Sequence, residues 1–335
     1  MFEGSGKQIH VYEVAPRDGF QIEPTFIPTE DKIALIDTLS RTGLSKIEAT
    51  SFTTPKAIPA LRDAAEVMSG ITRAGGVSYS ALVPNLRGAE RALGARVDEI
   101  NLVMSVSETH NLANLRMTRE QSCAQLMEVI QFVKKAGTRV NVALSTCFGC
   151  PMEGAVPEDE VWRWVEPLVD AGADGISLCD TTGMAHPAQV ARWVEAFKRR
   201  WPTVPMTLHL HNTRGQGLAN VLAALEAGAD RFDAALGGLG GCPYAPGATG
   251  NVCTEDLVHM LEAMGYHTGV DLNGLIECAW RLPGLVGHEV PGQVAKAGPA
   301  GELHPPPEWL PEVRARALER GTPATLSAAC ATPEK

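Results

Sequence analysis

The sequence lacks several features that would direct it to particular classes of protein. Aromatic residues make up only 5% of the 335 residues, and no apolar run approaches the roughly 20 residues that a membrane span needs. The formal net charge is -10, without a long run of Lys and Arg, which argues against nucleic acid and anionic membranes as partners. The first residues show neither an apolar core nor an Arg- and Ser-rich amphipathic pattern, so we expect no signal or transit peptide.

Cysteines are present, but they do not form a recognisable framework. The eight cysteines are scattered along the chain, which favours reduced thiols and a cytoplasmic location. Cys147 and Cys150 form an isolated CxxC pair, without a second pair at zinc-ribbon spacing, so we expect no redox role. The hydrophobic content of 44% and the charged content of 20% are typical of a folded, soluble chain with an ample core.

Amphipathic segments that end at a glycine recur along the chain, and a β-rich segment follows each of them. Because glycine can adopt the left-handed conformation that closes a helix, each glycine predicts a helix end before a strand. These glycines are Gly43, Gly94, Gly172 and Gly228. Thr118 and Gln121 form a possible capping box at the start of another helix.

Eight strands are predicted, most of them followed by a helix. They lie near residues 10–15, 46–51, 77–83, 98–103, 138–145, 174–179, 205–210 and 231–236. Eight such units over about 250 residues match the size of an α/β fold of the (β/α)₈ TIM-barrel type. A doubly wound open sheet is the alternative, but the strand count and the lack of a Gly-rich dinucleotide turn after the first strand favour the barrel.

The pattern changes after about residue 270. We predict a catalytic barrel over residues 1–270 and a C-terminal helical extension over 271–298, packed on the barrel, with one helix near 271–285. Residues 299–335 form a Pro- and Ala-rich tail, in which we expect a short helix near 311–320.

Four polar residues are predicted to meet at one rim of the barrel, because chemistry in this fold lies where strands end. His209 and His211 alternate along the seventh strand and therefore point the same way. Asp18 follows the first strand, and Asn251 lies in the loop after the eighth. Two imidazoles, a carboxylate and an amide oxygen suit Mg²⁺ or Mn²⁺, and these ligand types do not exclude Zn²⁺. The alternative to a metal site is that the two histidines only form hydrogen bonds within the protein.

Other polar residues lie at the same predicted rim. Arg17 could form a structural salt bridge or neutralise an enolate oxygen. Glu48 could hold Arg17 or be a plain buried ion-pair partner, and Asp180 follows the sixth strand. Residues 237–247 form a Gly-rich loop that could cradle a phosphate or form a mobile lid. The spacing of its glycines fits neither the Walker nor the Rossmann pattern, so we interpret it as a lid, with Cys242 as either a proton donor or an inert thiol.

Several segments together resemble the 3-hydroxy-3-methylglutaryl-CoA lyase family, within a wider superfamily of metal-dependent lyase and synthase barrels. The segments are residues 14–21, 47–56, 149–154, 209–220 and 237–256, and the resemblance runs from about residue 10 to about residue 298. It implies a divalent-metal-dependent lyase acting on an acyl-CoA thioester by retro-Claisen cleavage, with a role in leucine catabolism and ketone-body formation. We also expect a homo-oligomer, a dimer or larger.

The resemblance also implies a role for each site residue. The metal ligands would be Asp18, His209, His211 and Asn251. Arg17 would stabilise the enolate, and Glu48 and Asp180 would support the site. Cys242 would act from the mobile lid. His209 or Asp18 would accept the proton of the substrate 3-hydroxyl. The enolate would then take a proton from Cys242 or water.

Departures from the family pattern leave the acyl group open. They are Ile22 and Pro24 in place of Asn and Lys, Asn212 and Arg214 in place of Asp and Tyr, and Cys179 in place of Gly. The alternative functions are a Claisen-condensing synthase of the isopropylmalate or homocitrate type, a 4-hydroxy-2-oxoacid aldolase and a non-catalytic barrel that binds CoA esters. Cys242 and the lack of a large regulatory domain favour the lyase.

Overall fold

Eight parallel strands close into a barrel, which confirms the predicted fold. The structure is a computed structural model that describes residue 4, residues 6–241 and residues 250–320. Each strand pairs with the next in sequence, and the eighth pairs with the first. The strands are β1 (His10–Glu13), β2 (Lys46–Ser51), β3 (Ser78–Leu82), β4 (Glu99–Ser105), β5 (Arg139–Ser145), β6 (Gly175–Asp180), β7 (Met206–Leu210) and β8 (Arg231–Ala234).

Helices connect the strands, as the predicted fold requires. Those between β1 and β8 are α1 (Thr29–Leu39), α2 (Ala64–Gly70), α3 (Leu86–Gly94), α4 (Glu108–Leu115), α5 (Arg119–Lys135), α6 (Glu158–Asp170), α7 (Pro187–Arg200) and α8 (Gly217–Glu226). Those after β8 are α9 (Thr254–Ala263), α10 (Leu272–Ala279), α11 (Leu282–Val286) and α12 (Val294–Ala297). Apolar residues of the strands and of the inner helix faces form one continuous core.

Local signals for helix ends are confirmed at some positions and wrong at one. Thr118 and Gln121 form both hydrogen bonds of a capping box at the start of α5. Gly43, Gly172 and Gly228 have positive φ, but Gly94 is the last residue of α3. The left-handed residue there is Arg96, with φ of 58°. The chain thus turns two residues later than the glycine suggested.

The single helix predicted near 271–285 is two helices. Helix α10 ends at Ala279 and α11 begins at Leu282, with Pro283 in its first turn. Proline has no backbone N–H and clashes with the preceding turn of a helix, so it is tolerated at a helix start and not in the middle of a continuous helix. Helix α10 contacts both α1 and α9.

The chain divides into two compact units, residues 1–297 and residues 298–335. The first contains the barrel and α10 to α12. In the second, the described residues include α13 (Leu310–Glu319), which confirms the short helix predicted near 311–320. All residues of α13 are exposed, including Leu318 at 72%. Within the described ranges, no helix has the length and apolar character to cross a membrane.

Candidate metal centre and substrate cavity

A cavity of about 300 Å³ lies where the strands of the barrel end, as the predicted site requires. Four of the predicted site residues line it: Arg17, Asp18, His209 and His211. The opposite wall includes apolar side chains from β3, β4 and β5, namely Leu82, Val103 and Ala143. The cavity wall thus combines polar and apolar side chains, and β7 and the segment after β1 contribute the candidate ligands.

The two histidines of β7 face each other across a short gap. His209 and His211 are both buried, and their Nε2 atoms lie 3.2 Å apart. The Nε2 atom of His209 lies 3.9 Å from Oδ2 of Asp18. One ligand atom from each of these residues lies within 4.8 Å of the others. A group of three such donors at these separations can share one metal ion.

Asp18 lies in a helical turn that follows β1, and this turn was not predicted from the sequence. Strand β1 ends at Glu13, and residues Ala15–Gly19 form a single π-helical turn. Burial of Asp18 opposes its ionisation, but the Arg17 guanidinium and the two imidazoles outweigh it and lower the pKa of Asp18 to about 2. Asp18 is therefore a carboxylate at neutral pH, the form that a metal ligand requires.

Asn251 supplies an unsatisfied oxygen beside this carboxylate. Its side-chain amide donates to Oδ2 of Asp18 at 2.7 Å and to the carbonyl of Leu239 at 3.0 Å. Oδ1 of Asn251 is buried and, among the described residues, accepts no hydrogen bond. A buried acceptor without a donor is costly, and a cation at this position would satisfy it. The residues present thus fit a divalent cation with oxygen and imidazole ligands.

Arg17 is held by a chain of side-chain hydrogen bonds across the barrel interior. Its Nε donates to Oε2 of Glu48 at 2.6 Å, and its Nη1 donates to Oδ1 of Asp18. Glu48 also accepts from Asn101 at 2.8 Å, and Asn101 accepts from Asn141 at 2.8 Å. Sequence reasoning anticipated the contact between Arg17 and Glu48 as one of two alternatives, but it missed both asparagines. These hydrogen bonds together hold the Arg17 guanidinium at the edge of the cavity.

Asp233 is a further residue that sequence reasoning missed. It lies on β8 directly beside His209 in the strand register, and its Oδ2 lies 3.2 Å from Nδ1 of His209. Burial lowers the pKa of His209, but the hydrogen bond to Asp233 and the Asp18 carboxylate outweigh it, so that the net shift is upward. A carboxylate on one ring nitrogen orients the other nitrogen toward a metal. The alternation of β8 would have pointed to Asp233 as an inward residue.

We expect Asp233→Ala to weaken metal binding by about 10- to 100-fold, as is typical when the carboxylate that orients a metal-bound histidine is removed. The imidazole of His209 would lose the contact that sets its orientation and tautomer. Isothermal titration with Mn²⁺ measures the effect. Ser145→Ala, which also changes a cavity-lining side chain, is the control and should bind Mn²⁺ like the unaltered protein. Equal affinity in both variants would show that Asp233 does not position the ligand.

Asp180 lies at the same rim, but the structure does not bring it into the cavity. Its neighbours Cys179 and Thr181 line the cavity, whereas Oδ1 of Asp180 accepts hydrogen bonds from the backbone N–H groups of Met184 and Ala185 at 2.7 and 3.0 Å. Burial raises its pKa to about 7. Asp180 therefore shapes the loop after β6, and a direct part in catalysis stays a prediction.

The start of the Gly-rich loop passes directly against two of the candidate ligands. Gly240 has φ of +106°, and a Cβ atom there would lie 2.6 Å from Nδ2 of Asn251 and 3.2 Å from Oδ2 of Asp18. Only glycine fits this approach. Cys242, the predicted lid thiol, lies outside the described residues, so its role stays a prediction.

The two cysteines of the CxxC pair lie in surroundings that do not favour thiol–disulfide exchange. Cys147 and Cys150 are both fully buried, and burial raises the pKa of Cys147 to about 12. A thiol that stays protonated and inaccessible does not exchange disulfides.

Comparison with known proteins places this chain in a family. Residues 8–280 match the family model described as HMGL-like. The chain belongs to the HMGL-like family. One curated member of similar sequence is hydroxymethylglutaryl-CoA lyase YngG of Bacillus subtilis, which is 49% identical over 287 residues, 86% of this chain and 96% of the relative. The (R)-citramalyl-CoA lyase of Chloroflexus aurantiacus is 39% identical over 301 residues, 87% of this chain and 95% of that protein.

Solved structures of HMGL-like relatives have the same fold. An HMG-CoA lyase from Acinetobacter baumannii, in complex with coenzyme A and 3-methylmalate, is 55% identical. The comparison covers 90% of this chain and 98% of that one, with a TM-score of 0.86. This likeness agrees with the barrel and with an enzymatic role for the cavity.

Proposed function

We propose that this chain is a divalent-metal-dependent carbon–carbon lyase that cleaves 3-hydroxy-3-methylglutaryl-CoA to acetyl-CoA and acetoacetate. The observation that carries the proposal is the cluster of Asp18, His209 and His211, with the Arg17 guanidinium hydrogen-bonded to Asp18. The identity of 49% to a curated hydroxymethylglutaryl-CoA lyase over most of both chains supports the substrate class.

Asp18, His209, His211 and Asn251 would hold the cation, as Mg²⁺ or Mn²⁺. Carboxylate and amide oxygens with imidazole suit these hard and intermediate ions, and no thiolate-rich set competes for zinc among the residues described. Such an ion, when bound, polarises substrate oxygens and makes a hydroxyl more acidic. The protein residues supply the remaining steps.

The first of these steps is removal of the proton from the substrate 3-hydroxyl. Asp18 and His209 are the candidate bases, since both line the cavity. Nδ1 of His209 is in contact with Asp233, so His209 would act as the base through Nε2, and only while that nitrogen is not bound to the cation. Asp18 does not carry this restriction, because a second carboxylate oxygen remains. Cleavage of the bond between C2 and C3 then gives the ketone and the thioester enolate.

Arg17 is placed to stabilise the enolate. It is buried and permanently charged, and the contacts with Glu48 and Asp18 leave it at the edge of the cavity. A preorganised cation in a site of low dielectric constant favours the negative charge that develops on the thioester oxygen. Cys242 or a water molecule would then protonate the enolate carbon.

The direct test is incubation of the purified protein with HMG-CoA and Mg²⁺ or Mn²⁺, with both products quantified. We expect acetoacetate and acetyl-CoA in equal amounts, and no turnover after treatment with a chelator that is then removed. Turnover in the reverse direction only, from a keto acid and acetyl-CoA, would favour a condensing synthase. Binding of CoA esters without any cleavage would favour the non-catalytic barrel.

Citramalyl-CoA is a second candidate substrate. A curated (R)-citramalyl-CoA lyase is 39% identical, and Ile22 places an apolar side chain in the cavity lining. Assaying both thioesters in parallel decides between them. The substrate with the higher kcat/KM identifies the acyl group that the cavity fits.

We also propose that the protein acts in the cytoplasm as a homo-oligomer in leucine catabolism and ketone-body formation. The eight scattered cysteines support the location, because thiols stay reduced in the cytoplasm. Size-exclusion chromatography with light scattering tests the oligomeric state.

A further inference from the structure

Glu13 is a buried carboxylate that the proposed chemistry does not use. It is the last residue of β1 and is 0% exposed. Its Oε1 accepts hydrogen bonds from the backbone N–H groups of Ala15 at 2.7 Å and Leu236 at 2.9 Å. Its Oε2 accepts from the hydroxyl of Thr254 at 2.8 Å. One side chain thus joins the segment after β1 to Leu236 and Thr254, which lie 223 and 241 residues away from Glu13 in sequence.

Those three segments carry or adjoin candidate metal ligands. Ala15 opens the helical turn that contains Asp18. Thr254 begins α9, three residues after Asn251. Leu236 opens the short helical turn that leads into the Gly-rich loop, whose Gly240 lies against both ligands.

A second buried carboxylate reinforces the same junction. Glu255 is 0% exposed, and its two oxygens accept from the backbone N–H of Gly237 at 3.2 and 3.0 Å. Buried carboxylates are costly unless they are hydrogen-bonded. Two of them at the base of one loop indicate that the position of this loop is held tightly.

We propose that Glu13 is a positioning residue for the metal centre, whose side chain fixes the segment that carries Asp18 relative to the segment that carries Asn251. This inference rests on the proposed metal-dependent function. Asp18 and Asn251 are 233 residues apart in sequence and hydrogen-bonded to each other. The hydrogen bonds from Ala15 and Thr254 to Glu13 form a second link between the same two segments.

The hydrogen bonds that Glu13 accepts do not depend on its negative charge. All three donors are neutral, and among the described residues Glu13 forms no ion pair. A glutamine could accept both backbone hydrogen bonds at its oxygen and donate to the Thr254 hydroxyl through its amide. Burial raises the pKa of Glu13 to about 7, which agrees with a site that accommodates a neutral side chain.

The experiment measures Mn²⁺ affinity and thermal stability in three variants of the full chain. Thr254→Val removes one link with little change in shape, and we expect it to weaken Mn²⁺ binding by about 10-fold, in the range seen for residues that orient ligands. Glu13→Ala removes all three links and should weaken binding more. Glu13→Gln should bind Mn²⁺ like the unaltered protein. Both the affinity and the melting temperature are recorded for each.

Lys32→Met is the matched structural control. Lys32 is buried in an ion pair with Asp63, 2.8 Å away, and neither residue lines the cavity. We expect Lys32→Met to lower the melting temperature without changing Mn²⁺ affinity. This comparison separates loss of ligand positioning from general loss of stability.

Two results would overturn the inference. Unchanged Mn²⁺ affinity in Thr254→Val would show that the link does not position Asn251, and this variant decides the matter if Glu13→Ala does not fold. Binding by Glu13→Gln as weak as by Glu13→Ala would show that charge, and not hydrogen bonding, is what matters. Failure of the unaltered protein to bind Mn²⁺ would contradict the proposed function itself and the inference with it.

Discussion

Replacement of Arg17 by methionine is expected to lower kcat by about 10³-fold, the upper range for loss of one preorganised group that stabilises an oxyanion. Arg17 is buried and directed by Glu48 and Asp18 toward the cavity edge. Methionine has a similar apolar stem but no charge for the enolate. Metal affinity should be nearly unchanged, because Asp18, His209 and His211 remain. Steady-state kinetics and Mn²⁺ titration on the same preparation measure both quantities.

Arg119→Met is the control for this variant. Arg119 is also partly buried and hydrogen-bonded to two carboxylates, those of Glu108 and Glu160, but it does not line the cavity. Loss of its ion pairs should affect stability and leave kcat close to that of the unaltered protein. If Arg17→Met instead lost its metal, Arg17 would be a structural partner of Asp18 and the enolate would need another cation.

Replacement of His211 by alanine is expected to abolish turnover by weakening metal binding more than about 100-fold, beyond the loss typical of residues outside the ligand sphere. His211 is the better choice for this test, because His209 is also a candidate base and its loss would affect two steps. The Nε2 atoms of the two histidines lie 3.2 Å apart, close enough to bind the same cation. Removal of one imidazole would therefore leave the cation without one of its candidate ligands. Titration with Mn²⁺, followed by assay at saturating metal, measures the loss.

His186→Ala is the control for the histidine variant. His186 is exposed at the start of α7 and lies outside the residues that line the cavity. It should bind Mn²⁺ and turn over substrate like the unaltered protein. Retention of wild-type Mn²⁺ affinity by His211→Ala would remove His211 from the ligand set.

The fold was largely predictable because strand-like segments recur along the chain and most of them are followed by a helix signal. All eight predicted strands overlap those in the structure. Details that depend on one residue were less predictable. Arg96 takes the left-handed conformation that was expected at Gly94. The π-helical turn that contains Asp18 was not predicted from the sequence.

The candidate ligands on one strand were easier to predict than the residues that support them. His209 and His211 share a face because strand side chains alternate. Asp233 and Asn101 belong to no motif. Asp233 reaches the site because β8 pairs with β7, and Asn101 does so because its side chain reaches Glu48 of β2 inside the barrel. Contacts of this kind depend on the pairing between different strands, which the side-chain alternation along one strand does not give.

A crystal structure of the protein soaked with Mn²⁺, with anomalous scattering recorded near the manganese edge, would show whether Asp18, His209, His211 and Asn251 bind one ion. We expect one strong anomalous peak within about 2.5 Å of a carboxylate oxygen of Asp18, a ring nitrogen of His209 and of His211, and Oδ1 of Asn251, as is usual for ligands of a divalent ion. If the fully active, Mn²⁺-loaded protein showed its anomalous peak at other residues, or showed no peak, the proposed metal centre would be contradicted.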